Sequence, residues 1–167
     1  PQHFKEFGNN IWQHCFQTAM FSQKITAETC GDELKGVGYF VGLIRNLGYM
    51  VLFQLLTESI KFVRPGAKPC AETMIKLLNQ FALPITLLVA KHWQLPAIVQ
   101  TVLTEQQANV PSKNDLSPCI QQANALSQYV CLLQANIIEE DVYTAETKHV
   151  LKNPTAVALS QDVLDNS

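Results

Sequence analysis

Gly38-Tyr39-Phe40-Val41-Gly42-Leu43-Ile44-Arg45-Asn46-Leu47-Gly48-Tyr49-Met50-Val51-Leu52-Phe53 is the most apolar run in the chain, and its two central polar residues stand side by side. Phe40, Val41, Leu43, Ile44, Leu47, Val51, Leu52 and Leu55 recur at the three- and four-residue spacing of a buried helical face. Gly48 interrupts the pattern, so the run predicts two helical pieces with a tight joint just after Arg45-Asn46. A cation and an amide inside a buried run are costly without partners. The joint is therefore the place to look for a polar cluster, and the rest of the chain is expected to wrap around it.

The surrounding composition is that of a folded domain. With 167 residues, 47% hydrophobic and 16% charged, the chain suits one globular domain, or one and a short appendage, and not a disordered chain. A net charge of −2 offers no general attraction to nucleic acid or anionic lipid. No apolar run reaches about 18 residues without a polar break, so no membrane span is expected. Pro1-Gln2-His3-Phe4-Lys5-Glu6 has no apolar signal core, and the chain lacks an initial Met, as a piece of a longer protein would. Cys15, Cys30, Cys70, Cys119 and Cys131 are odd in number and widely spaced. They read as reduced, mostly buried thiols of a cytoplasmic protein and make no local zinc-ligand pair.

Outward from the central run, every periodic stretch is helical. Asn9 or Asn10 is the expected N-cap of a helix through Ile11, Trp12, Cys15, Phe16, Ala19, Met20 and Ile25. Gly31-Asp32 should break it and cap the next helix near Glu33. Arg64-Pro65-Gly66-Ala67-Lys68-Pro69 reads as a loop. A helix follows from Cys70 to Phe81, with Met74, Ile75, Leu77 and Leu78 inward, and Pro84 opens another from Ile85 to Trp93. Gln94-Leu95-Pro96 makes a corner before a helix through Ile98, Val99, Val102 and Leu103. Asn109 to Asp115 is loop, and Pro118 opens a long helix to about Ile138 with Cys119, Ile120, Ala123, Leu126, Val130 and Leu133 buried. Thr144 would cap a short helix through His149 and Leu151. Asn153-Pro154 fits an N-cap with a first-turn proline for a last one. No stretch alternates with period two, so the fold class is all-α.

The central run resembles the Phe-x-Ala-Gly-Leu-Leu-His-Asp-Ile-Gly-x-Leu-Val-Leu segment of the HD superfamily, and most closely its HDOD branch of signalling output domains. Ile11-Trp12-Gln13-His14-Cys15 is similar to that family's Leu-Trp-x-His-Ser helix start. The stretch from Ile85 to Pro96, ending Trp93-Gln94-Leu95-Pro96, is similar to its Val-Gly-x-Leu-Leu-x-x-Trp-x-Leu-Pro. The resemblance covers roughly residues 9 to 130. It implies an HD-domain-like helical bundle over 1–140, with 141–167 as a helical extension, and identifies the chain with the C-terminal, HD-like part of an HDOD domain whose preceding helical subdomain is absent.

In catalytic relatives a histidine, a His-Asp pair, further histidines and a distant aspartate hold one or two divalent metals, which activate water and clamp phosphate. The matching positions here are His14, Arg45, Asn46, Gln106 or Gln107, and Asn124. Arginine has donors only and stays protonated, so it cannot ligate and it opposes a cation. The resemblance thus implies no catalytic residue, no metal and no cofactor. What remains is a degenerate pocket of His14, Arg45, Asn46, Gln106 and Asn124. Arg45 is expected to fill the old metal space, paired with Glu72, Glu105 or Glu33, or hydrogen-bonded to His14 or Asn124; alternatively its forked donors serve an anion or nucleotide. His14 reads as a histidine satisfied by a hydrogen bond. His92 should sit against helix carbonyls, and His3 and His149 at the surface. Trp93, Leu95 and Pro96 should form a corner packed on the central helix, with Trp93 buried.

The function expected is a non-catalytic regulatory domain of bacterial signal transduction. It would act by contact with other signalling proteins or domains, and as a homodimer where two copies pair. Nucleic acid and membrane are not expected partners. A small-anion sensor built on Arg45 is the alternative, and a metal-dependent phosphohydrolase needs ligands the chain lacks.

Overall fold

The structure, a computed structural model, describes residues 2–63, 70–108, 112 and 114–166. It is all-α. The helices are α1 (Gln2–Cys30), α2 (Lys35–Arg45), α3 (Leu47–Val63), α4 (Ala71–His92), α5 (Ala97–Ala108), α6 (Leu116–Gln134), α7 (Glu140–Val150) and α8 (Pro154–Asp165), with a 3-10 turn at Asp32–Leu34. No strand occurs among the described residues. The expected loop at 64–69 lies outside them; of the one expected at 109–115, residues 112, 114 and 115 are described and none is helical.

The long helix α1 is the spine, flanked by α2 and α6. Glycines set the α1–α2 distance. A Cβ on Gly38 would overlap the Thr26 hydroxyl, and one on Gly42 would overlap that of Ser22, so the two helices touch backbone to small side chain. Ile25 of α1 joins Cys119, Ala123, Leu126 and Val130 of α6, and Tyr143, Leu151, Ala156 and Leu159 extend this core into α7 and α8. A second core gathers Val41 and Ile44 with Leu87, Ala90, Val99, Val102, Leu103, Leu116 and Ile120. A third joins Ile11 and Cys15 to Leu78, with Tyr49, Met50, Leu52 and Phe53 packed against it.

The joint falls where the apolar period breaks: α2 ends at Arg45 and α3 begins at Leu47. Gly48 does not make the break. Its role is proximity, because a Cβ there would overlap the Ala82 carbonyl of α4. The Gln94-Leu95-Pro96 corner is also present, with Gln94 at φ 53 and Leu95 N–H donating to the Ala90 carbonyl. Asn153 caps α8 by accepting from the Thr155 and Ala156 amides, with Pro154 at the first position.

Several expectations are corrected. Asn9 and Asn10 cap nothing: α1 runs on to Gln2, and Gly8 lies against the Phe53 ring of α3. Asp32 makes no cap and pairs instead with Lys35. Pro84 does not start a helix but lies inside α4. Proline keeps a helical φ at the cost of one backbone bond, and its neighbours Leu83 and Leu87 belong to the second core. α6 begins at Leu116, so Pro118 sits in its first turn, and Thr144 is internal to α7, donating to the Glu140 carbonyl. The apolar stripe of α1 divides. Ile11, Cys15, Ala19 and Ile25 are buried, whereas Trp12, Phe16 and Met20 are exposed. Phe40, Leu55, Ile75 and Trp93 are exposed as well.

By length and composition, 32–63 and 72–92 are apolar enough to cross a membrane, against the expectation from uninterrupted runs. The first is broken at Asn46, and the side chains at that break bond to α1, α5 and α6. Such lateral hydrogen bonds suit a packed bundle.

Candidate functional site

The site begins at the joint. Ending α2 at Arg45 points its side chain across the bundle toward α5 and α6. The guanidinium Nε–H donates to Gln106 Oε1 at 2.7 Å. Nη1 donates to Asn46 Oδ1 and to Asn124 Oδ1, both at 2.8 Å. Asn46, fully buried, donates from Nδ2 to Thr18 Oγ1 at 3.1 Å and to Asn124 Oδ1 at 3.2 Å. Gln106 in turn donates to the Ser117 carbonyl. Side chains from α1, α2, α5 and α6 thus meet in one network centred on Arg45, with the Asn46 turn as its hub.

His14 forms the adjoining wall. Its Nδ1 lies 2.9 Å from Ser127 Oγ, which donates its single proton to the His14 carbonyl at 3.0 Å. Both contacts are satisfied when Nδ1 carries the ring proton, and the Asn124 side chain is a further hydrogen-bond partner of the ring. Burial, helped by the nearby Arg45 charge, pulls the His14 pKa down to about 4, with Asn124 opposing. His14 is therefore neutral at pH 7. Burial also pushes the Cys15 thiol up to about 12 and raises the Tyr49 hydroxyl. The same burial lowers the Arg45 guanidinium, which still stays protonated at neutral pH. Arg45 is then the one charge among these four groups.

All five residues singled out in the sequence, His14, Arg45, Asn46, Gln106 and Asn124, converge. None of the acids expected for Arg45, Glu72, Glu105 or Glu33, bonds to it among the described residues. Glu72 pairs with Lys76, and Glu105 holds Ser112 and Asn114. The partners of Arg45 are neutral amide oxygens, which accept without forming an ion pair. His14 bonds to Ser127 and not to Arg45. Thr18, Ser127 and Thr86 are members that the sequence reading missed. Thr18 lies one turn after His14 and donates to its carbonyl, so helical spacing alone places it on that face. Thr86 accepts from the Gly48 amide at 2.8 Å and lies 3.2 Å from the Arg45 carbonyl, clamping the joint from α4.

A divalent metal does not fit this donor set. No three His, Cys, Asp or Glu converge among the described residues, and the amide oxygens that would face a cation already face a guanidinium. Three amides, an uncharged imidazole and a fixed cation are a poor ligand set for a divalent metal.

A family model for the HDOD domain matches residues 5–109. Searches of curated proteins and of solved structures return no significant match. The match starts before the Leu-Trp-x-His-Ser-like helix start and ends short of Asn124. It is to the HDOD domain itself, so the restriction to a C-terminal, HD-like part of that domain is not borne out. With the His14 helix, the Arg45-Asn46 joint and the Trp93-Gln94-Leu95-Pro96 corner all inside the matched stretch, the chain belongs to the HDOD domain family.

Proposed function

We propose that this HDOD domain is a non-catalytic regulatory module of cytoplasmic signal transduction that works by binding other proteins. The observation carrying this reading is the Arg45 guanidinium, held by Gln106, Asn46 and Asn124 at the positions matching the metal ligands of catalytic relatives. A cation tied there by three side chains opposes a second cation electrostatically and takes up the ligands' acceptor atoms. Large apolar side chains open to solvent, among them Trp12, Phe16, Leu88 and Trp93, support action by contact. Elemental analysis of the purified protein tests the reading, together with assays of phosphomonoester and phosphodiester hydrolysis. The expected result is no stoichiometric iron, manganese or zinc and no turnover. About one equivalent of metal, lost with activity on His14→Ala, overturns it.

A second reading has its own observation. Among the described residues, Nη2 of Arg45 bonds to none and no carboxylate pairs with the guanidinium. A small oxyanion suits those free donors. Calorimetric titration with inorganic phosphate and with nucleoside phosphates tests it: binding lost on Arg45→Gln supports the anion site, and no heat on either ligand removes it.

A further inference from the structure

Cys30 is the last residue of α1, and Cys119 lies in the first turn of α6. They are 89 positions apart in sequence, yet their sulfurs are 3.8 Å apart. The two differ in access. Cys119 is 1% exposed, and Cys30 is only partly buried. Directly after Cys30, Gly31 takes φ 111 and the chain leaves the helix, so the residue sits at a helix end and not in a packed middle. The other thiols have other settings. Cys15 faces the Asn46 carbonyl, Cys131 faces Gln17, and Cys70 is exposed before α4.

A disulfide needs the sulfurs at about 2.05 Å, so the pair must close by less than 2 Å from the observed 3.8 Å. We propose that Cys30 and Cys119 are an oxidisable thiol pair, in which Cys30 reacts with a hydroperoxide and Cys119 resolves the product into an intramolecular disulfide. Cys30, as thiolate, attacks the peroxide oxygen. The S–O bond forms, the O–O bond breaks, and the alkoxide leaves with the thiol proton as an alcohol (as water for hydrogen peroxide). Cys119 then attacks the sulfenic sulfur. The S–S bond forms, the S–O bond breaks, and the hydroxyl leaves as water with the Cys119 proton. Two thiols and one hydroperoxide give one disulfide, one alcohol and one water, with two electrons passing from sulfur to oxygen.

The bridge would tie α1 to α6, the helices that carry His14 and Thr18 on one side and Asn124 and Ser127 on the other. Oxidation state would thus set how tightly the two walls of the Arg45 pocket are held. Burial, with a contribution from Cys30 itself, raises the Cys119 thiol to about 12, so Cys119 does not react first, and it gives up its proton only as it attacks the sulfenic sulfur held beside it.

The test uses the full chain carrying Cys70→Ser, which removes the exposed competitor. Folded, reduced protein is treated with hydrogen peroxide, then alkylated and mapped by non-reducing peptide mass spectrometry. The expected product is a Cys30–Cys119 cross-linked peptide, about 2 Da lighter per chain and reversed by dithiothreitol, with the thermal midpoint raised by roughly 10 °C. In Cys119→Ser, Cys30 should stop at the sulfenic acid and be captured by dimedone. In Cys30→Ser, Cys119 should stay a free thiol. Alkylation of both thiols after peroxide, a sulfinic Cys30 while Cys119 is present, or a cross-link formed only in denaturant would each overturn the proposal.

Discussion

Arg45 donates to Asn124 across 2.8 Å, joining the α2–α3 joint to the middle of α6 over 79 residues of sequence. Asn124 Oδ1 also accepts from Asn46, so two neighbouring side chains of the joint converge on one amide oxygen. An aspartate at either asparagine position would convert a neutral clasp into a salt bridge. As it stands, the described partners of the Arg45 charge are amide oxygens, an arrangement that stabilises through hydrogen bonds more than through ion pairing.

Arg45→Ala removes the donor for Gln106, Asn46 and Asn124 together. With buried Asn46 and Asn124 and half-buried Gln106 left short of a donor, the domain should lose about 1–3 kcal/mol in urea unfolding at pH 7. Arg45→Lys should recover less than half of that, because a point charge cannot serve three acceptors fixed around a planar fork. A cost below about 0.5 kcal/mol for the alanine variant would mean that water replaces the guanidinium freely.

His14 gives the domain an acid limit. Its folded pKa of about 4 lies below the ordinary 6.5, so the unfolded chain binds the extra proton between these values. Stability from this group is fully present above pH 6.5 and is lost as pH falls toward 4. The loss is roughly 2–3 kcal/mol. Denaturant melts of the wild type against His14→Gln between pH 4.5 and 7.5 measure it. The variant should lack most of this slope, and parallel curves would show that His14 protonates without cost.

The joint, the corner and the last helix cap were legible because each is local: a broken period, Trp-x-Leu-Pro and Asn-Pro lie within a few residues. Convergence of His14, Arg45, Asn46, Gln106 and Asn124 came from resemblance, since 79 residues separate Arg45 from Asn124. Of the partners expected for Arg45, Asn124 holds and the acids do not, because the facing helices α5 and α6 present amide oxygens at that point. Pro84 misled because a proline's effect depends on whether its neighbours have a core to hold them in line. The Cys30–Cys119 approach left no trace in spacing, as neither residue belongs to a local motif.

Trp93 tests the limits of motif reading. It closes α4, and its amide donates to the Val89 carbonyl at 2.8 Å, but its side chain is 59% exposed. The structural part of the corner falls to Leu95, which packs on the second core. Trp93→Ala should therefore cost under about 1 kcal/mol, and Leu95→Ala about 2 kcal/mol or more. Equal costs in denaturant melts would contradict this division.

Two glycines on either side of the joint make opposite predictions from the same substitution. Gly36 stands near the start of α2 with nothing within 4 Å of where a Cβ would be. Gly36→Ala should then stabilise by about 0.5–1 kcal/mol, by removing backbone freedom from the unfolded chain. Gly48 has no such room, because its Cβ would meet the Ala82 carbonyl, which is helix backbone and cannot rotate aside. Its amide also donates to Thr86, and Thr86 touches the Arg45 carbonyl. Pushing α3 from α4 would therefore open that clamp and loosen the Arg45 network. Gly48→Ala should cost about 3 kcal/mol. It should also raise the folded pKa of His14 toward its ordinary value, as followed by the imidazole proton resonances. A Gly48→Ala protein as stable as the wild type, with the His14 titration unmoved, would show that the α3–α4 approach is independent of the site.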